Sequence, residues 1–471
     1  MKADSGDERM RLPWSVAVGA AKAVRAAIRA SGRSGGTTLP GRILLALRPD
    51  AIERLAGRIP DGSIIVSSTN GKTTTAAMIA SILECSGREV LHNRAGSNMH
   101  WGVATALLDA PKVSASAIGL FEIDEAWVSR LASYLNPKLV VLGNLVRDQL
   151  DRYGELERLS EEWAEMVSAL PEDCSLVLCA DDPSVADLAT SMGSEGGPIF
   201  FGMEDETKAL TEQSHAFDAK RCRRCGGTYL YERTFIGHLG HYSCPECGHG
   251  RPGDVQVVAR AVQLDGLAGS RFEFETPSGS ASVEISLPGL YNVYNALAAV
   301  AAGHALGVPI ADIAAGLSAA AAVFGRSETI DLAGGSVSLL LIKNPTGANE
   351  VLRTLVDEAG PSGELDLWIG LNDRIADGRD VSWVWDADLE LLAEHVRTVV
   401  CSGSRAPEMA LRLKYAGWPV DRIEVDTDLE NSLIAAVTRA EGTVYALPTY
   451  TALLEVRGKI AGKGHADEFW A

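Results

Sequence analysis

Residues 64–75 read Ile-Ile-Val-Ser-Ser-Thr-Asn-Gly-Lys-Thr-Thr-Thr, and no other stretch constrains the fold as strongly. Three β-branched apolar residues predict a buried strand, Asn70-Gly71 predicts a tight turn, and a helix is expected to open at Thr73. Backbone N–H groups at a helix N-terminus point outward and bind anions. In that setting Lys72 offers a cation to terminal phosphates, and the hydroxyl of Thr73 offers a ligand to Mg²⁺. Thr69, Asn70, Gly71, Lys72, Thr73 and Thr74 are therefore the expected contacts to a nucleoside triphosphate. The general phosphate loop opens with glycine where this chain has Val66, so the turn falls to Asn70-Gly71.

The surrounding pattern suits such a loop. Short apolar runs at Ser63–Ser67, Ala117–Glu122, Leu139–Gly143 and Leu176–Cys179 alternate with helical periodicity, the rhythm of a parallel sheet with helices on both faces. Periodicity fades over 190–220, and strands are expected again within 255–287. An Ala-rich helix is expected over Asn292–Leu306 and a short one over Asp312–Val323. A second βα series starts near Ser336, with strands at Leu339–Ile342, Leu367–Ile369, Thr398–Cys401 and Thr443–Ala446. A chain of 471 residues exceeds one core, and the boundary is placed near Phe324–Gly325. The expected fold is α/β. A basic N-terminal segment (1–36) precedes a P-loop central domain (37–324) with a parallel sheet, and a Rossmann-like α/β domain (325–471) follows.

Cys222-Arg-Arg-Cys225 and Cys244-Pro-Glu-Cys247 are two Cys-x-x-Cys pairs inside the central domain. Each can form a turn presenting two thiolates to one tetrahedral ion, so a four-cysteine zinc ribbon is expected as an insertion at about 218–252. Four thiolates leave no open position for water, which makes the zinc structural. Arg221, Arg223 and Arg224 are placed to stabilise those thiolates. Cys85, Cys174, Cys179 and Cys401 are scattered and read as buried thiols of a reducing compartment.

The net charge of −19 disfavours nucleic acid as the main partner, because phosphate backbones require a basic footprint. No apolar run is long enough to predict a membrane span. Between Arg9 and Pro49 there is no acidic residue, and arginines and lysines interleave with Leu12, Trp14, Val16, Val18, Val24 and Ile28. Two readings stand: a basic amphipathic helix on an anionic membrane surface, or a helix packed on its own domain.

With these segments in hand, the loop resembles that of the Mur ligases, which join amino acids to peptidoglycan precursors. Glu122 at a strand end is similar to that family's Mg²⁺-binding glutamate. Asn144-Leu-Val-Arg-Asp148-Gln-Leu-Asp151 resembles its Asn-x-x-x-Asp-His-x-Asp segment, with Gln149 in place of the histidine. Gly289-Leu-Tyr-Asn292-Val-Tyr-Asn295 resembles the adenine-side helix, which implies Asn295 as the base contact. Gly325-Arg326-Ser-Glu328 resembles the hinge, which implies that Arg326 reaches the ATP phosphates. The stretch Lys343-Asn344-Pro345 follows without the family's leading acid, and no uridine-nucleotide-gripping domain precedes the loop. Asn93-Arg-Ala-Gly96-Ser-Asn98-Met, Asp377-Gly-Arg-Asp380-Val-Ser-Trp-Val-Trp-Asp386 and the four-cysteine insertion are similar to one branch, the MurT-type subunit of lipid II isoglutaminyl synthases.

The resemblance implies a cytoplasmic enzyme, peripheral to the membrane, that uses ATP and Mg²⁺. It would amidate the α-carboxylate of D-glutamate in the lipid II stem through an acyl phosphate. It also implies a class I glutamine amidotransferase (GatD-type) partner in a heterodimer, since this chain shows no Cys-His hydrolase signature. Lys343 is expected at the transferred phosphoryl group or the substrate carboxylate, the alternative being a surface lysine. Asp377 and Asp380 are expected to orient the partner's catalytic histidine or prime ammonia, the alternative being a turn around Gly378. Rival readings are a folate- or cyanophycin-type amino-acid ligase on the same scaffold and a zinc-ribbon nucleotide-binding regulatory protein.

Overall fold

The strand expected over Ser63–Ser67 forms (β1), and all five of its residues are buried. A strand covered by helices on both faces has no polar side to show. In the computed structural model, residues 12–30, 38–93, 97–110, 114–148, 156–193, 196–320, 326–361 and 363–462 are described. Gln149, Asp151, Arg94–Gly96, Phe324 and Gly325 lie outside the described residues, as does the side chain of Arg326.

β1 pairs in parallel with β3 (Ala117–Glu122) and β4 (Pro137–Leu142). The sheet adds β2 (Glu89–His92), β5 (Ser175–Cys179), β6 (Ile199–Met203), β9 (Val257–Leu264), β10 (Ser270–Thr276) and β11 (Gly279–Ile285) in the order β11-β10-β9-β6-β5-β4-β1-β3-β2. From β2 to β9 the pairings are parallel, and β9, β10 and β11 form an antiparallel edge. β6 corrects the sequence reading of 190–220 as aperiodic. Its Ile-Phe-Phe-Gly-Met run is almost wholly buried, so neither alternation nor a helical period marks it.

The second sheet follows the order β12-β13-β17-β14-β15-β16. Its strands are β12 (Arg326–Leu332), β13 (Gly335–Leu340), β14 (Leu365–Gly370), β15 (Val396–Ser402), β16 (Ile423–Val425) and β17 (Thr443–Pro448). Only β12 runs antiparallel to its neighbour. A separate hairpin, β7 (Leu230–Ile236) and β8 (Leu239–Ser243), belongs to the cysteine insertion.

The Ala-rich helix spans Leu290–Ala305 and packs on the phosphate-loop helix Lys72–Cys85. Its buried Ala296, Ala299 and Ala302 are small enough to let the two backbones approach, which carries Asn295 to the loop. At the N-terminus, helix Trp14–Ala30 packs on helix Leu39–Leu47. Ala17 and Ala21 are buried, Arg25 pairs with Asp109, and Arg48, Arg54 and Arg58 surround the Trp14 ring. The helix therefore packs on its own domain, yet it leaves Val16 and Lys22 exposed. Among the described residues no helix is long and apolar enough to cross a membrane.

Candidate nucleotide-binding and ligase site

Gly71 ends the loop with φ +86°, a left-handed conformation that favours glycine. A Cβ there would stand 1.9 Å from Asn295 Oδ1, so the close approach of that amide also demands glycine. Asn144 braces the loop from below. Its amide accepts from Asn70 N (3.0 Å) and donates to Asn70 O (3.0 Å), and its carbonyl accepts from Thr69 N (2.9 Å).

The Lys72 ammonium lies beneath the loop, donating to Ser68 O (3.1 Å) and pairing with Glu125 Oε2 (3.2 Å). Burial pulls its pKa down, but the carboxylates of Glu125, Asp124, Glu122 and Asp148 outweigh burial and hold it above the ordinary lysine value. It is charged at any physiological pH. Glu122, at the end of β3, accepts from Thr73 Oγ1 at 2.8 Å. One carboxylate and one hydroxyl thus converge where helix Lys72–Cys85 begins, and oxygen ligands of this kind suit a hard divalent cation. Thr74 is buried in the first turn of the same helix.

The second sheet closes over the loop. Lys343 donates to Asp148 Oδ2 (2.6 Å) and Thr69 O (3.1 Å). Asn344 and Asn70 exchange amide hydrogen bonds of 2.9 and 3.2 Å. Asp148 Oδ1 is buried with no hydrogen-bond partner among the described residues, an acceptor left over in an otherwise paired cluster. Lys343 thus sits at the loop and not on open surface. Asn70, Asn295, Tyr294, Lys343, Gly347 and Glu350 line the resulting cleft, together with Ile236 and Leu239 from the β7–β8 hairpin.

Asp377 and Asp380 are not brought into this cleft. Asp377 is buried and accepts from Thr451 N at 2.7 Å and from its hydroxyl. Burial holds its carboxyl above the usual range despite those bonds. Asp380 is exposed and accepts from Ser382 N at 2.8 Å. Asp386 bridges the two sheets by pairing with Arg147 at 3.1 Å.

Cys222, Cys225, Cys244 and Cys247 bring their sulfurs within 4.8 Å of one another. Two of the separations are 3.6 Å (Cys222–Cys247) and 3.5 Å (Cys225–Cys244). A tetrahedral zinc centre with four thiolates requires about 3.8 Å between sulfurs, so the four residues fit zinc. Gly226 and Gly248, both at positive φ, close the two turns after each pair. Arg223 and Arg224 turn to Asp187 (3.8 and 3.0 Å), and Arg221 donates to Gly226 O, so the expected arginine–thiolate contacts do not form. Burial pushes the Cys222 thiol up, but backbone N–H groups of Cys225 and Arg224 pull it down to about 5.

Burial raises the Cys174 and Cys401 thiols to about 12 and holds Cys179 far above its ordinary value. Cys85 departs from the expectation of a buried thiol. It is exposed in the last turn of its helix, beyond the core-facing Ile82 and Leu83.

Glu125, Tyr294 and the hairpin residues Ile236 and Leu239 escaped the sequence reading. The acidic run Glu122-Ile-Asp-Glu125 at a strand end was a usable signal for the first of them.

Comparison with known proteins agrees with this arrangement. The family described as Mur ligase middle domain matches residues 66–238, and that described as MurT ligase C-terminal matches residues 341–453. Among solved structures, a pseudomurein peptide ligase type C from Methanothermus fervidus shares the fold. Its TM-score is 0.68 at 24% identity, covering 88% of this chain and 81% of the other. The lipid II isoglutaminyl synthase (glutamine-hydrolyzing) subunit MurT of Streptococcus pneumoniae is 34% identical, covering 91% of this chain and 93% of the relative. Its counterpart in Staphylococcus aureus strain N315 is 32% identical, covering 93% and 96%. With that identity across nearly the whole of both chains, this chain belongs to the MurT family of Mur-type ligases.

Proposed function

We propose that this chain is the ATP-dependent subunit that amidates the α-carboxylate of D-glutamate in the stem peptide of lipid II, giving D-isoglutamine. The carrying observation is the set Lys72, Thr73, Glu122 and Asn295 assembled at one loop, in a chain similar over its length to subunits named for that reaction. A carboxylate is a poor electrophile. Transfer of the γ-phosphoryl group of ATP to one of its oxygens gives an acyl phosphate and ADP. Ammonia then attacks the carbonyl carbon, loses a proton and expels phosphate.

Thr69 to Thr74 hold the phosphates, Asn295 faces the base, and Lys72 neutralises charge building on the phosphoryl oxygens. Mg²⁺, held by Thr73 and Glu122, supplies further neutralisation of the phosphate charge when bound. Lys343 reaches the same loop from the second sheet and is suited to the transferred group or the substrate carboxylate. Arg326 is assigned to the phosphates by resemblance alone. Zinc at the four cysteines is structural. The domains are taken as 37–324 and 325–471.

Ammonia comes from a GatD-type class I amidotransferase. Large apolar side chains stand exposed on the second domain at Ile375, Trp385, Leu411 and Tyr415, and rigid aromatics such as Trp385 and Tyr415 anchor partners. Asp380 stands exposed in the same segment and is suited to orient a partner histidine, with Asp377 bracing the loop. The basic N-terminal helix suits a cytoplasmic protein resting on the inner membrane surface, where lipid II lies.

The test incubates the chain and its amidotransferase with lipid II, ATP, Mg²⁺ and glutamine, and reads the product by mass spectrometry. Replacement of one –OH by –NH₂, in step with ATP cleavage, is expected. ATP cleavage that requires an added amino acid appearing in the product would overturn the reading in favour of an ordinary amino-acid ligase.

A further inference from the structure

A second hollow shares no lining residue with the nucleotide cleft. It lies between helix Leu39–Leu47, which supplies Arg42 and Leu45, helix His100–Asp109, which supplies Trp101, and helix Val128–Leu135, which supplies Arg130 and Tyr134. Its volume is about 390 Å³, within the roughly 300–1,000 Å³ of small-molecule sites.

The hollow gathers positive charge without an acid to offset it. The Arg42 guanidinium lies 5.5 Å over the Trp101 ring, and that of Arg130 lies 5.9 Å over Trp127. Among the described residues neither guanidinium has an ion pair, and no carboxylate lines the hollow. The chain as a whole carries a net charge of −19, and many of its other arginines face acids, as Arg25 faces Asp109, Arg147 faces Asp218 and Arg251 faces Asp181. The His100 ring is wedged between Trp101 and Trp127 at 4.4 and 4.1 Å. Burial first, and then Arg130, lower its pKa, so the positive charge of the hollow belongs to the two arginines. Planar guanidinium forks braced on aromatic faces match phosphate oxygens in bidentate fashion.

We propose that this hollow binds the diphosphate and adjoining sugar of the lipid-linked substrate, with Arg42 and Arg130 on the phosphates and Trp101 and Tyr134 along the sugar. The inference rests on the amidation reading above. It is supported from both sides of the hollow. Helix Leu39–Leu47 packs on the exposed basic helix Trp14–Ala30, and the diphosphate of such a substrate lies at the lipid–water boundary. Helix Val128–Leu135 starts six residues after Glu122, across a short turn in which Trp127 N donates to Asp124 O at 2.8 Å. A headgroup held at Arg130 therefore starts its peptide at the edge that carries Glu122.

The test uses the complex with the amidotransferase and the variants Arg42→Gln, Arg130→Gln and their double, at exposed positions where folding tolerates change. KM for lipid II in detergent micelles is expected to rise about tenfold per arginine, or ~1.4 kcal/mol. KM for ATP, kcat, and KM for a soluble muramoyl pentapeptide lacking the diphosphate are expected to stay unchanged. Separately, inorganic pyrophosphate is titrated by calorimetry against parent and double variant, with ADP filling the phosphate loop. Binding by the parent and its loss in the double variant are expected. An unchanged KM for lipid II, or pyrophosphate binding equal in both proteins, overturns the proposal. So does a double variant that loses only its binding to phosphatidylglycerol vesicles, because the arginines would then serve the membrane surface. Should the parent show no amidation, the functional reading fails, while the pyrophosphate titration still decides the hollow.

Discussion

Lys72 is held under its loop by Glu125 and by two backbone carbonyls, so its charge is fixed in place before any nucleotide arrives. An ammonium already charged and held at the phosphate loop needs little reorganisation during transfer. Lys72→Ala is expected to lower kcat for amidation by at least about 10²-fold, measured by ATP-coupled product formation, with the fold intact by circular dichroism. A second residue makes a prediction about stability. Glu350 is buried in the cleft wall, and burial raises its carboxyl above the ordinary value even though Arg353 opposes the shift. A carboxyl whose folded pKa is raised contributes nothing below its unfolded pKa, and it costs stability as pH climbs through the folded value. Glu350→Gln should therefore raise Tm at pH 8 relative to the parent, and the gain should vanish near pH 4. A gain that grows toward acid pH would contradict the sign. Lys72, Thr73 and Glu122 were legible in the sequence because a local motif or a strand end fixes their geometry. Glu125 and Asn344 were not assigned, because their partners stand far along the chain and only the fold joins them.

Between residue and molecule, the cysteine insertion shows what sequence spacing does and does not reveal. The two Cys-x-x-Cys pairs announced a four-thiolate site, and the sulfurs do converge. Nothing in that spacing announced where the hairpin between them would go. β7 and β8 run from the cysteines to a tip at Ile236 and Leu239 that walls the nucleotide cleft. The tip is fastened there by buried His238, 3.4 Å from Asp182, and by Gly240 N on Asp181 O at 2.9 Å. Asp181 also accepts from Tyr294 Oη at 2.7 Å, one residue before Asn295. The proposed zinc would thus set the position of a cleft wall from a distance. Removing it with a chelator is expected to lower Tm and to weaken binding of a fluorescent ATP analogue about tenfold, the loss of ~1.4 kcal/mol of contact and preorganisation. Restored zinc should recover both. Unchanged nucleotide affinity in the metal-free protein would confine the insertion to a role away from the cleft. β6, by contrast, was missed because a short, doubly buried strand carries no period to read.

At the scale of the whole molecule, the two sheets are shut on each other. The cleft between them holds about 110 Å³, below the roughly 300 Å³ at which small-molecule sites begin. Movement of the second sheet and its helices away from the loop would widen the cleft for a nucleotide. The polar contacts that resist this include the Asn70–Asn344 amide pair, Lys343 on Asp148 and Thr69 O, Arg147 on Asp386, Ser214 and His215 on Asp388, Asn349 on Ser214, and Leu267 N on Glu358. The Arg147–Asp386 pair is part-exposed, so it contributes under about 1 kcal/mol, and each neutral amide bond adds about 1 kcal/mol. Contacts of this strength hold the second sheet against the loop yet yield to substrate binding energy. Asn344→Ser retains an oxygen to cap helix Pro345–Ala359 while losing the amide pair. Combined with Asp386→Ala, it should weaken closure by about 2–3 kcal/mol. Stopped-flow mixing with a fluorescent ATP analogue should then show at least about tenfold faster association, and small-angle scattering should show a larger radius of gyration without nucleotide. If association and radius both match the parent, these contacts do not gate entry, and the second sheet must open about some other set.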